Sequence, residues 1–183
     1  MTPDPAARLG SVARALQHVV LPALPADETL AQKQARLCLG HVAMLIEQYR
    51  HLADYDALCL TAMVELATRL AEQAAGGPRT DAAAGDLRAA VSAASDPSDT
   101  AAGAAADART RRNAVAAAVD DLLRAGTEDA TAEFRATSHQ LVLDHGIRQA
   151  YRDRVWFRAS GLDPEQATFP EIAQLLHGTT ASP

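Results

Sequence analysis

The sequence predicts an all-α fold, a mostly antiparallel bundle of five or six helices with a long C-terminal helix and a short terminal one. Three observations carry this. Alanine supplies 42 of the 183 residues. It is the best helix former but too small to fill a core alone, so closely approaching helices are expected. The β-branched and aromatic residues never cluster at period two, and only seven residues are aromatic, which leaves a strand-rich fold without its usual material. Helix starts are also legible. Asp4-Pro5, Asp96-Pro97 and Asp163-Pro164 each set a capping carboxylate before a proline whose fixed φ suits the first helical position.

The first helix is expected from about Pro5 to Leu21 or Leu24, with Leu9, Val12, Leu16, Val19 and Val20 on one face. A second begins near Asp27 and carries Leu30, Leu37, Cys38, Val42, Leu45, Ile46 and Tyr49. Asp54 caps a third, with Leu58, Leu60, Met63, Val64, Leu66 and Leu70, which ends before Gly76. Both of these helices are apolar over more than half their circumference, which predicts central burial. Residues 76–108 are rich in Ala, Gly and Asp. There Leu87 and Val91 suit a short helix over about 80–94 with one narrow stripe, and another helix should start at Pro97. Its first turns, residues 100–108, hold nothing large to bury, so this segment is predicted to be partly ordered helix with a mobile stretch.

Beyond it, Val115, Val119, Leu122 and Leu123 form an apolar face that ends at Gly126. Thr127 then caps a long helix to Ser160, continuous or at most kinked at Gly146, because a mid-helix glycine costs only about 1 kcal/mol. Asp163 and Gln166 have capping-box spacing. Residues 170–177 form a short last helix covering one bundle end with Ile172, Leu175 and Leu176. The short connections at 25–27, 51–54 and 126–127 make successive helices fold back within a single domain over 1–183.

Cys38 and Cys59 fall on either side of the expected turn near Leu52, offset by ~12 Å along the helices, too far for a disulfide. They read as two buried reduced thiols. Thr2, Pro3, Asp4 and Pro5 stand where a secretory signal needs a basic region and an apolar run, and Pro22 cuts the Val19–Leu21 stretch short. The expectation is a cytoplasmic protein without a membrane span. A net charge of −6 with Lys33 as the only lysine argues against a nucleic-acid binder.

Three groups could carry chemistry. Glu47 and His51 lie four apart, with Asp54 and Asp56 just beyond. Imidazole and carboxylate at helical spacing are how bundles hold divalent metals, although a solvated hairpin tip explains the same residues and no cofactor is expected. His41 lies on the apolar side of the second helix with Leu37, Met44 and Leu45, as a core, interface or ligand-contacting residue. His139 and His145 diverge by ~120° around a helix, and Asp144 and Arg148 suit an ordinary ion pair. The third group is Arg148, Arg152, Arg154 and Arg158, interleaved with Tyr151, Trp156 and Phe157. Guanidinium forks bind phosphate or carboxylate, and the same residues also suit ion pairs and the helix dipole. Arg109, Arg111 and Arg112 read as a solvated face. No nucleophile elbow, dinucleotide glycine motif or phosphate loop occurs, which favours a non-enzymatic reading.

From Leu16 to Tyr49, the Val20-Leu21-Pro22-Ala23-Leu24-Pro25 turn is followed by Gln34-Ala35-Arg36 and an apolar helix. This stretch resembles the start of small uncharacterised bacterial helical proteins that accompany genes for kinase-like phosphotransferases and acyl-CoA dehydrogenases. The resemblance covers less than a fifth of the chain; it implies an accessory role and transfers no catalytic residue.

The sequence thus favours an interaction or accessory protein that self-associates as a homodimer, or takes a protein partner, through an Ala/Leu-rich face. The alternative is a small-molecule binder with an anionic or acyl-type ligand in an apolar cavity. His41, Tyr49, His139 and Tyr151 would line it, and Arg148, Arg152, Arg154 and Arg158 would receive the head. A metal-dependent enzyme is third, and would require carboxylates and histidines converging in one cleft.

Overall fold

The computed structural model describes residues 4–96 and 104–178, and these are all-α, with no strand and one isolated backbone bridge. The helices are α1 (Pro5–Ala15), α2 (Thr29–Gln48), α3 (Leu52–Gln73), α4 (Pro78–Ser95), α5 (Ala104–Asp129), α6 (Ala132–Trp156) and α7 (Ile172–Leu176). The helix start expected at Pro97 lies outside the described residues. Among these residues no helix is long and apolar enough to cross a membrane.

The internal contacts group into two compact units, residues 1–52 with 151–183, and residues 53–150. In the first unit, Asp4 caps α1 as its spacing predicts, accepting from the Ala6 N–H at 3.0 Å. The helical path continues through a π turn, Leu16–Val20, into Leu21–Ala23. Pro22 explains the π turn. Its ring would press on the carbonyl four residues earlier, and a widened turn, in which the Leu21 N–H donates to the Leu16 carbonyl, relieves that crowding. Leu24 is extended, as a residue before proline should be. α1 packs on α2, yet α1 buries no side chain, and α2 buries only Met44 and Gln48. The central burial expected for the second helix is therefore not formed, because its N-terminal half meets too little chain. Cys38 is exposed for the same reason, while Cys59 is buried as predicted.

The turn expected at 51–54 is also absent. Gln48, Tyr49 and Leu52 keep right-handed helical dihedrals, and a 3-10 turn at Tyr49–His51 links α2 to α3. No glycine or proline lies between residues 41 and 75 to stop the helix, so Asp54 is an exposed residue within the first turn of α3 and not its cap.

The second unit has a dense core. Leu66, Ala67, Leu70 and Ala71 of α3 meet Ala84, Leu87 and Ala94 of α4, Val115, Val119 and Leu122 of α5, and Phe134 and Leu141 of α6. Alanines at these contacts let the helix axes approach, as the composition predicts. Residues 78–95, within the segment expected to be partly mobile, form the regular helix α4.

A clamp joins the two turns of this unit. The Gly77 N–H donates to the Asp129 carbonyl and the Thr131 N–H to the Ala75 carbonyl, both at 3.0 Å. The Asp129 carboxylate caps α4 from a distance, accepting from the Arg79 N–H at 2.8 Å, the Thr80 N–H at 3.0 Å and the Thr80 hydroxyl at 2.5 Å. A Cβ on Gly77 would stand 2.6 Å from the Asp129 carboxylate, and one on Gly76 would stand 2.8 Å from the Ala130 Cα. Both glycines are fixed by that approach. The helix expected to end at Gly126 therefore runs to Asp129, and Thr131, not Thr127, caps α6 by accepting from the Phe134 N–H at 3.2 Å. α6 continues through Gly146 and ends at Trp156; a 3-10 turn follows to Gly161, which has φ +73°.

The capping box also moves. It forms between Glu171 and Gln174 at the start of α7, whereas Asp163 precedes a 3-10 turn at Gln166–Thr168.

Candidate functional site

Two surfaces stand out. The first is a stripe on α2 in the first unit. At about 100° per residue, Leu30, Gln34, Leu37, Cys38, His41 and Leu45 fall within about 100° of one another. All six face solvent: Leu30 is 69% exposed and Leu45 48%. Val12, Val19 and Val20 of the partner helical segment are exposed as well. His41, read from sequence as a core, interface or ligand residue, is exposed on this stripe, and Tyr49 is exposed one turn beyond Leu45.

The second surface is an open groove of about 710 Å³ between the end of α5 and the first half of α6. Leu123, Phe134, Val142 and Leu143 form its apolar lining, and Arg124, Arg135 and His139 bring polar groups to it. The clamp at Asp129 and Thr131 sets these two helices side by side here. His139 is the one sequence-predicted ligand residue in the lining. Arg124 and Arg135 were not singled out from sequence. They lie eleven positions apart across a turn, and no local spacing signals their approach.

The arginine cluster has a different use. Arg154 pairs with Asp163 at 2.8 Å and Glu165 at 2.6 Å, and its guanidinium lies 4.7 Å from the Phe169 ring centre. The Arg154 guanidinium holds the Asp163 carboxyl below its ordinary value, and the carboxylates in turn raise Arg154. Arg158 donates to Glu47 and Glu171, each at 3.1 Å, and to the Phe169 and Pro170 carbonyls. Tyr151 meets the Phe169 ring edge-on at 6.1 Å. Arg154 and Arg158 therefore fasten the C-terminal segment. Of the two uses that their sequence pattern suits, the structure shows the ion pairs. Arg152 is half-buried and engaged, and Arg148 is exposed. Asp144 accepts from the Gln140 amide at 2.7 Å in place of the expected pair with Arg148.

The four residues of the candidate metal set are likewise committed elsewhere or dispersed. Glu47 serves Arg158. Asp56 is buried and accepts from Arg109 at 2.9 and 3.4 Å, which raises the guanidinium further. His51 is half-buried and Asp54 exposed. Among the described residues no group of three His, Cys, Asp or Glu side chains is placed to hold a metal ion, so the set is not assembled. Arg109 remains exposed, as expected of a solvated face, while Arg111 is half-buried, pairs with Asp107 at 2.8 Å and donates to the Ala94 carbonyl.

Compared with known proteins, the chain matches no family model, no curated protein and no solved structure.

Proposed function

We propose that this protein is a non-enzymatic interaction or accessory module that self-associates through the exposed stripe of α2. The observation that carries the reading is the exposure of Leu30, Leu37 and Leu45 on one side of a helix that packs against α1 yet buries only Met44 and Gln48. Contiguous exposed apolar surface is what protein interfaces use. The stripe residues Leu30, Gln34, Leu37, Cys38, His41 and Leu45 include no carboxylate and no fixed cation. Two copies can therefore meet there without like-charge repulsion, despite a net charge of −6. A two-fold pairing is the simplest closed arrangement for one self-complementary face.

Cys38 offers the test. It is exposed on the stripe while Cys59 is buried, so a short bis-maleimide should join two chains through Cys38 at micromolar protein. Covalent dimer should form with the native sequence and vanish in Leu37→Asp, whose side chain is 44% exposed and tolerates the change. Absence of dimer with the native sequence, or equal yield in Leu37→Asp, would refute the proposal.

A further inference from the structure

We infer that the groove between α5 and α6 is a binding site for a single-chain amphiphile with a compact anionic head, specifically the carboxylate of a free fatty acid. The inference concerns a surface in the other unit from the α2 stripe and stands independently of self-association. Four features of the groove point to this ligand class.

The first is its size. About 710 Å³ falls within the ~300–1,000 Å³ typical of small-molecule sites, and all of it lies at one end of a helical hairpin. A docked helix would need a longer furrow. The second is its floor. Leu123, Phe134 and Val142 present carbon to the opening, and Leu143 leaves 60% of its surface in water, so an alkyl chain laid there removes apolar surface from solvent on both partners. Gly126 contributes by its missing side chain: a Cβ there would stand 3.4 Å from Ala130 and 3.8 Å from the Phe134 ring, narrowing the floor.

The third feature is charge. The chain carries 23 acidic residues against 17 basic ones, yet the groove lining contains Arg124, Arg135 and His139 and no Asp or Glu. Arg135 and His139 are one helical turn apart on the same side of α6. Arg124 is held by Asp121 at 2.7 Å, whereas Arg135 pairs with no carboxylate among the described residues. Its guanidinium fork is free to take a planar two-oxygen head. The fourth is rigidity. The groove is framed by the Asp129–Thr80 clamp and by the buried Phe134 and Leu141, so little ordering is needed on binding. An apolar floor with an unpaired arginine at its edge matches an alkyl carboxylate, and a neutral or cationic amphiphile would leave that arginine without an acceptor.

Isothermal titration of the full chain with dodecanoate, below its micelle concentration, tests this. One dodecanoate should bind per chain. Dodecanol and dodecyltrimethylammonium should bind at least tenfold more weakly. Arg135→Glu and Leu143→Glu, both at exposed positions, should each weaken dodecanoate at least tenfold with unchanged helical circular dichroism, and Leu30→Asp should leave it unchanged. Non-saturating uptake, equal affinity for the three heads, or indifference to both groove variants would overturn the inference. Tenfold tighter binding of dodecyl phosphate would overturn the carboxylate assignment. A chain that becomes monomeric on Leu143→Glu and never binds dodecanoate would show instead that a second copy covers the groove.

Discussion

The two units use similar helices to opposite ends. In residues 53–150, α3 alone buries eight side chains, and Leu70, Leu87, Val115 and Leu122 are sealed from solvent. In the other unit α1 buries none and leaves Val12 in water, the π turn after it exposes Val19, and α2 exposes Leu30 and Leu45. Both regions are rich in leucine and alanine, so composition does not separate them. The number of neighbouring helices does. Four helices enclose a core, while a pair with one C-terminal segment encloses only one end, around Met44, Gln48 and Trp156, where the Gln48 amide donates to the Trp156 carbonyl at 2.8 Å. An apolar stripe that no described residue covers is the physical basis for the proposal that a second copy covers it.

The contrast is broken or sharpened first by truncating leucines. Leu122→Ala should cost about 2–5 kcal/mol, because a sealed side chain leaves a cavity, whereas Leu37→Ala should stay within about 0.5 kcal/mol for the single chain. Urea unfolding at low protein concentration measures both, and equal costs would erase the distinction between the units. The next effect is Gly77→Ala. Its methyl would meet the Asp129 carboxylate at 2.6 Å, so a loss of about 1–3 kcal/mol is expected from overpacking. Retained stability would show that the clamp yields.

The clamp also makes an acid-sensitive contribution. The Thr80 hydroxyl, then the Arg79 and Thr80 N–H groups, hold the Asp129 carboxyl below its ordinary value of 3.8. A carboxyl lowered by folding contributes fully above its unfolded value and loses that contribution as pH falls toward the folded one. Native protein should therefore lose stability between pH 5 and pH 2.5 more steeply than Asp129→Asn, which keeps the shape and one acceptor. Parallel pH profiles would rule out the carboxylate as the source. The smallest effect is Gly146→Ala. A Cβ there meets nothing within 4 Å, so the change should stabilise α6 by about 0.5–1 kcal/mol, opposite in sign to Gly77→Ala.

These glycines also show what the sequence could reveal. Helix identity was legible wherever local chemistry decides it: Asp4-Pro5 at the start of α1, and the apolar periodicity of α3 and α5. Gly126 and Gly77 look alike in sequence, yet one lies inside a helix and the other is pinned by a carboxylate fifty-two positions away. The α2–α3 turn was read from Asp54 as the cap of a third helix, although no helix-breaking residue accompanied it. The ion pairing of the arginines was legible as a class, but its partners were not. The partners of Arg154 and Arg158 lie partly in the C-terminal segment and in α2, and only tertiary structure brings Glu47 to Arg158. The groove escaped notice because its cations sit on two helices.

Native mass spectrometry of the intact chain beside its Leu30→Asp/Leu37→Asp variant tests the central claim most directly. The account predicts a dimer for the native sequence and a folded monomer for the variant. A native monomer at micromolar concentration, or a dimer that survives both substitutions, would contradict it.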